Sequence, residues 1–320
     1  MECCGDTPPP SSLLEGNFYP SHRSGVVLLA YLNGRFLSRS AAQVSVEDRG
    51  FIFGDGVYEV WRAVNGRLFE TERHVDRLAF GLRELRIARP EIVTVAGITE
   101  LAERLLTQSG LSSSRSEATL YVQVTRGAAP RSHQFPPATT EPTVYATVNP
   151  FNPPEKLRST GAACISIPDI RWSRCDIKTI QLLPNVLAKQ EAVESGAVDA
   201  LMVRDGVVTE GSHANVMAVI DGAIRTHPTD NKILPGITRA IVLELAREAG
   251  VAAREAPFTE AELATVDELF LVGTTTDVMP LVRVNGRQVG AGTPGPITQR
   301  LVRAFREYLD AACSVASAAR

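Results

Sequence analysis

Four Asx-Gly dipeptides, Asn33-Gly34, Asn65-Gly66, Asp205-Gly206 and Asp221-Gly222, punctuate the sequence between apolar runs. A two-residue hairpin turn needs positive φ at both central positions, and Asn or Asp followed by Gly adopts that conformation at little cost. The dipeptides therefore predict antiparallel strand pairs. Residues 26–32 and 35–37 flank the first, 57–64 precede the second, and 200–204 and 214–220 lead into the other two.

Between these strands the apolar period changes from two to about 3.6. Thr71 reads as a helix N-cap, followed by Val75, Leu78, Leu82 and Leu85 on one helical face. Further helices are expected over 95–108, near 185–195, from about Thr238, and over 297–312. Residues 118–126, 144–148, 163–167 and 269–272 read as strands, and 128–142 as a polar, Pro-rich loop. Helices and strands mix in both halves, so the fold class is α/β (α+β). With 320 residues, two domains are expected. The Pro-rich segment 149–154 reads as the linker between a domain over 25–148 and one over 155–320, and 1–24 as a disordered lead-in.

Composition excludes several partner classes. The formal net charge of −3 offers no field for nucleic acid, and no apolar run reaches the ~20 residues of a membrane span. The first residues lack a signal core or an Arg-rich transit pattern, which suggests a cytoplasmic protein. Five cysteines, Cys3, Cys4, Cys164, Cys175 and Cys313, fit neither a disulfide framework nor a zinc site and read as free thiols.

Only four lysines occur, at 156, 178, 189 and 232. Schiff-base chemistry requires a neutral amine in a shielded, apolar place. Lys178, within Ile177-Lys178-Thr179-Ile180, is the one flanked by apolar residues. Local context leaves two readings open, a Schiff-base lysine or a lysine snorkelling from a partly buried segment. Glu210, followed by Gly211, is suited to pair with a protonated pyridine nitrogen, and equally to an exposed turn. Two segments could bind phosphate: the helix start after Pro235-Gly236, with Ile237 and Thr238, and the turn Gly273-Thr274-Thr275-Thr276. Arg77 could add a fixed cation. In the Pro-rich loop, Arg131 and His133 stand two apart, so extended backbone would aim both at one carboxylate. Tyr58 and Glu59 are polar groups in an otherwise apolar strand, and Gly54-x-Gly56 before them lacks the third glycine of a dinucleotide fingerprint.

Taken in order, Phe53-Gly54-Asp55-Gly56-Val57-Tyr58-Glu59, His74-Val75-Asp76-Arg77-Leu78, Asp176-Ile177-Lys178-Thr179, Asn185-Val186-Leu187-Ala188-Lys189-Gln190-Glu191-Ala192, Thr209-Glu210-Gly211-Ser212 and Gly236-Ile237-Thr238-Arg239 resemble the class IV (fold type IV) pyridoxal-phosphate aminotransferases. The resemblance implies a small N-terminal α/β domain, a larger C-terminal domain and pyridoxal 5′-phosphate between them. It implies Lys178 as the internal-aldimine lysine and proton carrier, and Glu210 as the partner of the pyridine nitrogen. The phosphate would fall to Arg77, Ile237, Thr238 and the turn from Gly273 to Thr275. Within the family the chain looks most like the D-amino acid aminotransferases, where a tyrosine at the position of Tyr58 and an Arg-x-His pair like Arg131 and His133 trap the substrate carboxylate. In those enzymes the Arg-x-His pair comes from the second subunit, implying a homodimer. Val60 stands where branched-chain aminotransferases usually carry glycine. Amine transaminases and aminodeoxychorismate lyases on this scaffold generally lack the Arg-x-His pair. His213 and Ala214 depart from the family, which has small hydroxyl residues there.

Overall fold

The computed structural model describes residues 28–113 and 116–314, so the proposed lead-in over 1–24 lies outside the described residues, as do Cys3 and Cys4. The chain builds two sheets in succession. The first takes β1 (Leu29–Leu32) and β2 (Arg35–Ser38), then, after the short helix α1 (Arg49–Phe53), β3 (Gly56–Val64) and β4 (Arg67–Leu68). Helices α2 (Thr71–Glu84) and α3 (Val95–Gln108) precede the long strands β5 (Glu117–Thr125) and β6 (Thr143–Pro150). Its order is β2-β1-β6-β5-β3-β4, with every neighbour antiparallel. Alternate residues of β5 (Ala118, Leu120, Val122, Val124) point inward against Leu78, Leu82, Leu101 and Leu105 of the two helices. Each such leucine contributes about 1.5–3 kcal/mol by leaving water.

The second sheet follows α4 (Glu155–Thr160). It comprises β7 (Ala162–Pro168), then, after α5 (Leu183–Glu194), β8 (Asp199–Arg204), β9 (Val207–Gly211), β10 (Asn215–Ile220) and β11 (Ala223–Arg225). After α6 (Ile237–Glu248) come β12 (Ala253–Arg254), β13 (Glu268–Gly273), β14 (Asp277–Val284) and β15 (Arg287–Gln288), and α7 (Pro296–Ala312) completes the described fold. The order is β12-β11-β10-β13-β14-β7-β8-β9, with β15 beside β14. The sheet is mixed: β7 runs parallel to both β14 and β8. α6 and α7 cover one face through Ile241, Val242, Leu301 and Phe305, which pack on Phe270 and Val272.

All four Asx-Gly dipeptides hold the predicted backbone, with φ of 47° and 84° at Asn33 and Gly34 and the same signs at the other three. Asn285-Gly286 does the same between β14 and β15, whereas the sixth such dipeptide, Asp55-Gly56, has neither residue at positive φ and leads straight into β3. Strand β14 was not anticipated from the sequence. The second helix has the expected bounds. Thr71 is not the cap of α2: Glu70, at φ 53°, is the N-cap, and its carbonyl accepts the first bond from the His74 N–H. The Glu70 carboxylate is engaged by Tyr308 and Arg73 instead of the helix end. β6 continues through Pro150, paired to Ala118, so the connection to α4 is residues 151–154. Glu210 lies inside β9 rather than after it. Cys164, Cys175 and Cys313 are buried free thiols, and none of the described helices is long and apolar enough to cross a membrane.

Candidate active site

Between the two sheets lies a cavity of about 1100 Å³. Tyr58, Arg77, Lys178, Glu210, Ile237, Thr238, Gly273, Thr274 and Thr275 all line it. Lys178 reaches it because its segment is stitched to β3 by main chain: the Tyr58 N–H donates to the Lys178 carbonyl and the Ile180 N–H to that of Gly56, at 3.0 and 3.1 Å. Buried neighbours Ile177 and Thr179 anchor the segment on either side, and Lys178 itself is half-buried. Its Nζ lies 3.3 Å from the Tyr58 hydroxyl and 4.3 Å from the centre of that ring. Tyr58 in turn stacks on Tyr121 of β5, which fixes its plane.

Glu210 is buried in the wall. Its Oε1 accepts from Arg171, and its Oε2 accepts from Asn215 Nδ2 and the Leu234 N–H, both at 3.0 Å. Burial pushes the carboxyl above its ordinary range, while Arg171 and the Leu234 N–H pull against that rise. Arg171 is held protonated in spite of burial because Asp169 grips it from the other side, through bonds of 2.8 and 2.9 Å. Gly211 sits in a tight place beside this carboxylate: a Cβ there would stand 3.0 Å from both the Ala214 carbonyl and an Asp199 oxygen, so either neighbour would have to shift.

The opposite end is rich in donors. The N-terminus of α6 opens on the cavity with Gly236 as a cap that makes no side-chain bond, leaving helix N–H groups for a ligand anion. A Cβ at Gly236 would fall 1.9 Å from Asn215 Oδ1. The turn after β13 brings Thr274 and Thr275 to the same cavity. Arg77 is held by two bonds of 2.8 Å to the fully buried Glu59 and one of 3.0 Å to the Pro235 carbonyl. Glu59 is kept far below the carboxylate range: burial opposes its charge, but Arg77 and His74 more than offset it.

Arg131 and His133 are not among the lining residues. They are exposed on the loop after β5, beside Phe53, whose ring centre is 5.4 Å from the Arg131 guanidinium and 5.6 Å from the His133 ring. His213 does line the cavity, with Nδ1 3.1 Å from Ser212 Oγ and 3.4 Å from Asp199 Oδ2. Sequence reasoning missed Arg171 and Asn215. The available signals were Asp169 and Arg171 two apart in an irregular stretch, and an Asn opening the otherwise apolar β10.

A half-buried amine, a buried acid and an anion-binding end around one cavity suit a phosphorylated aldehyde cofactor. Comparison with known proteins gives the class. The model of amino-transferase class IV matches residues 56–284, and the chain belongs to that family of aminotransferases. Among its curated relatives, the D-alanine aminotransferase of Bacillus licheniformis is 42% identical over 87% of this chain and 95% of its own. That of Staphylococcus epidermidis is 39% identical over 87% and 97%. Among solved structures, the branched-chain aminotransferase of the thermophilic archaeon Thermoproteus uzoniensis, with norvaline, superposes with a TM-score of 0.78, at 25% identity over 89% of this chain and 95% of that one.

Proposed function

We propose that this protein is a pyridoxal 5′-phosphate-dependent transaminase that moves the amino group of a D-amino acid, such as D-alanine or D-glutamate, to a 2-oxo acid. The observation carrying the reading is the placement of the Lys178 amine, the Glu210 carboxylate and the α6 N-terminus around one cavity. The donor set fits the cofactor: Lys178 to bond its carbonyl carbon, Glu210 for the ring nitrogen, and Arg77, Ile237, Thr238, Gly273, Thr274 and Thr275 for the phosphate. Bound there, the cofactor supplies an electron sink for the substrate Cα and a carbonyl that stores the amino group between half-reactions.

The protein's own groups do the rest. Lys178 Nζ would take the proton from the donor's Cα and deliver it to the carbon that was the cofactor's carbonyl carbon, reversing the transfer for the 2-oxo acid. The Tyr58 hydroxyl, 3.3 Å away, restrains that amine. Glu210 keeps a negative charge where the ring nitrogen is protonated, and Arg171, Asn215 and Leu234 hold it in place. The helix start fixes the phosphate by backbone N–H groups, so the reacting end is held from its far side. Ping-pong kinetics follow from the two half-reactions.

The D preference rests on the curated relatives, both D-alanine aminotransferases, and on Arg131 and His133 as the carboxylate trap. Because these two stand outside their own cavity, they serve the site of a second copy, and the enzyme is a homodimer. Apolar side chains exposed about the cavity mouth support that: Phe51, Trp172, Leu183 and Val186 line the cavity, yet are 77%, 39%, 69% and 58% exposed. Buried free thiols accord with a cytoplasmic enzyme.

The test uses two variants. Lys178→Ala should lose the visible absorbance of the bound cofactor and all turnover; retention of both would refute the assignment. Arg131→Ala should lower D-alanine turnover about 100-fold or more. Its release of cofactor by hydroxylamine, an amine without a carboxylate, should change little. Equal losses for the two amines would remove the trap.

A further inference from the structure

The Arg-x-His loop is exposed, and a carboxylate trap works only if its two side chains are held in one geometry. The loop contains no regular structure between β5 and β6, so the hold must come from outside it. Arg49, at the start of α1, is 4% exposed. Its Nη1 donates to the carbonyl of Ser132, the residue between Arg131 and His133, at 2.6 Å. Its Nε donates to Asp55 Oδ2 at 2.8 Å, and Arg126 grips the same carboxylate at 2.8 and 2.9 Å. Burial would raise the Asp55 carboxyl, but the two arginines hold it below the ordinary range, so the anchor stays charged. The main-chain N–H of Arg49 also bonds the Gly127 carbonyl, at the root of the loop. Farther along, the Phe135 ring lies 3.7 Å from the Arg126 guanidinium, tying the outgoing end to the same cluster.

We infer that Arg49 is a positioning residue for the carboxylate trap, setting where Arg131 and His133 point by clamping the Ser132 carbonyl to the Asp55 anchor. This rests on the reading of Arg131 and His133 given above. A guanidinium is needed because it spans carboxylate and carbonyl with separate, rigidly spaced N–H groups. A lysine keeps the charge and reaches one of them. Arg49 is not among the residues that line the cofactor cavity and makes no bond to Lys178; its side chain meets the cavity wall through Phe53, whose ring centre lies 4.8 Å from the guanidinium.

Arg49→Lys and Phe135→Leu test this in the holoenzyme, with Arg131→Ala alongside. For both variants the KM for D-alanine should rise about tenfold, with a smaller change in kcat, since the trap binds substrate without moving its protons. The cofactor absorbance, and the rate at which hydroxylamine releases the cofactor, should stay within about twofold of the parent. Should Arg49→Lys fail to fold, judged by thermal melting, Phe135→Leu decides alone. An unchanged KM, or equal changes towards D-alanine and hydroxylamine while Arg131→Ala remains selective for D-alanine, overturns the clamp and leaves the trap standing. Loss of selectivity in Arg131→Ala itself overturns both.

Discussion

Glu59→Gln isolates the ion pair that holds Arg77 at the cofactor cavity. In the parent, Glu59 is 0% exposed and accepts two bonds of 2.8 Å from Arg77, whose own side chain is 9% exposed, while His74 Nδ1 lies 3.1 Å away. The amide keeps the shape but removes the charge, and can turn only one oxygen towards the fork. Arg77 then keeps one neutral acceptor at position 59 and the Pro235 carbonyl, with no counter-charge in the buried pair. Breaking one side of a buried pair costs about 3–5 kcal/mol. Urea unfolding at pH 7 should therefore show a loss of about 3–5 kcal/mol relative to the parent. The gap has a defined pH dependence. Glu59 has its folded pKa depressed from 4.5, so its stabilisation is complete above the unfolded value and declines as pH falls below it. Removing Glu59 also lowers the His74 pKa further, so the gap can grow as pH falls through the histidine range; the contribution of the Glu59 charge itself should shrink as the pH is lowered through about 4. A loss below about 1 kcal/mol at pH 7, or a gap that keeps widening as the pH falls below about 4, would refute the assignment of Glu59 as a charged anchor.

Arg171→Met leaves Asp169 and Glu210 as two buried acids without their shared cation, so one of them takes up a proton. The expected result is a kcat lowered about 100-fold or more, with an altered visible spectrum of the bound cofactor; a parental spectrum and rate would exclude Arg171 from the support of the ring nitrogen. Gly236→Ala drives a methyl into Asn215, which must give up its bonds to Glu210 and the Leu234 carbonyl. Cofactor dissociation, followed by dialysis and absorbance, should quicken about tenfold or more, whereas unchanged retention would show that Asn215 can move freely. Leu183→Glu places a charge on the apolar rim, 69% exposed in one chain. If the proposed dimer packs on this rim, sedimentation should show the variant less associated than the parent, and identical profiles would refute that placement of the subunit contact.

The sequence made local structure legible wherever a turn or period was self-contained. The Asx-Gly hairpins and the helix from Val95 to Gln108 depend on neighbours in sequence, and both are found as read. Strand β14 escaped because it is buried on both faces, so it shows no alternation, and because Pro280 argues against a central strand. The structure accommodates that proline just before the first β7 pairing, at Leu281. The candidate site divides in the same way. Lys178 stood out because it interrupts an apolar segment and Glu210 because a glycine follows it, and only the ordered set of motifs around them favoured a cofactor over the plainer readings. Arg171 did not, because its meaning lies in Glu210, 39 residues away, and the intervening chain gives no hint that the two meet. Arg77 was read as a phosphate ligand alone; its bond to Glu59 across 18 residues is a second duty that helix spacing does not reveal.

The main-chain stitching of Lys178 to β3 limits how this protein can be rebuilt. The Lys178 amine belongs by sequence to the second half of the chain, yet its backbone is an added rung beside Gly56 and Tyr58, with Val57 and Thr179 bridged between them. A chimaera taking residues up to 150 from one homologue and the rest from another inherits a competent lysine only if both parents trace the same backbone along that rung. Side chains at the seam can be re-optimised one at a time, but a register error there displaces Lys178 itself. The two halves are thus not interchangeable cassettes, and directed recombination should place its crossovers so that residues 56–58 and 178–180 travel together.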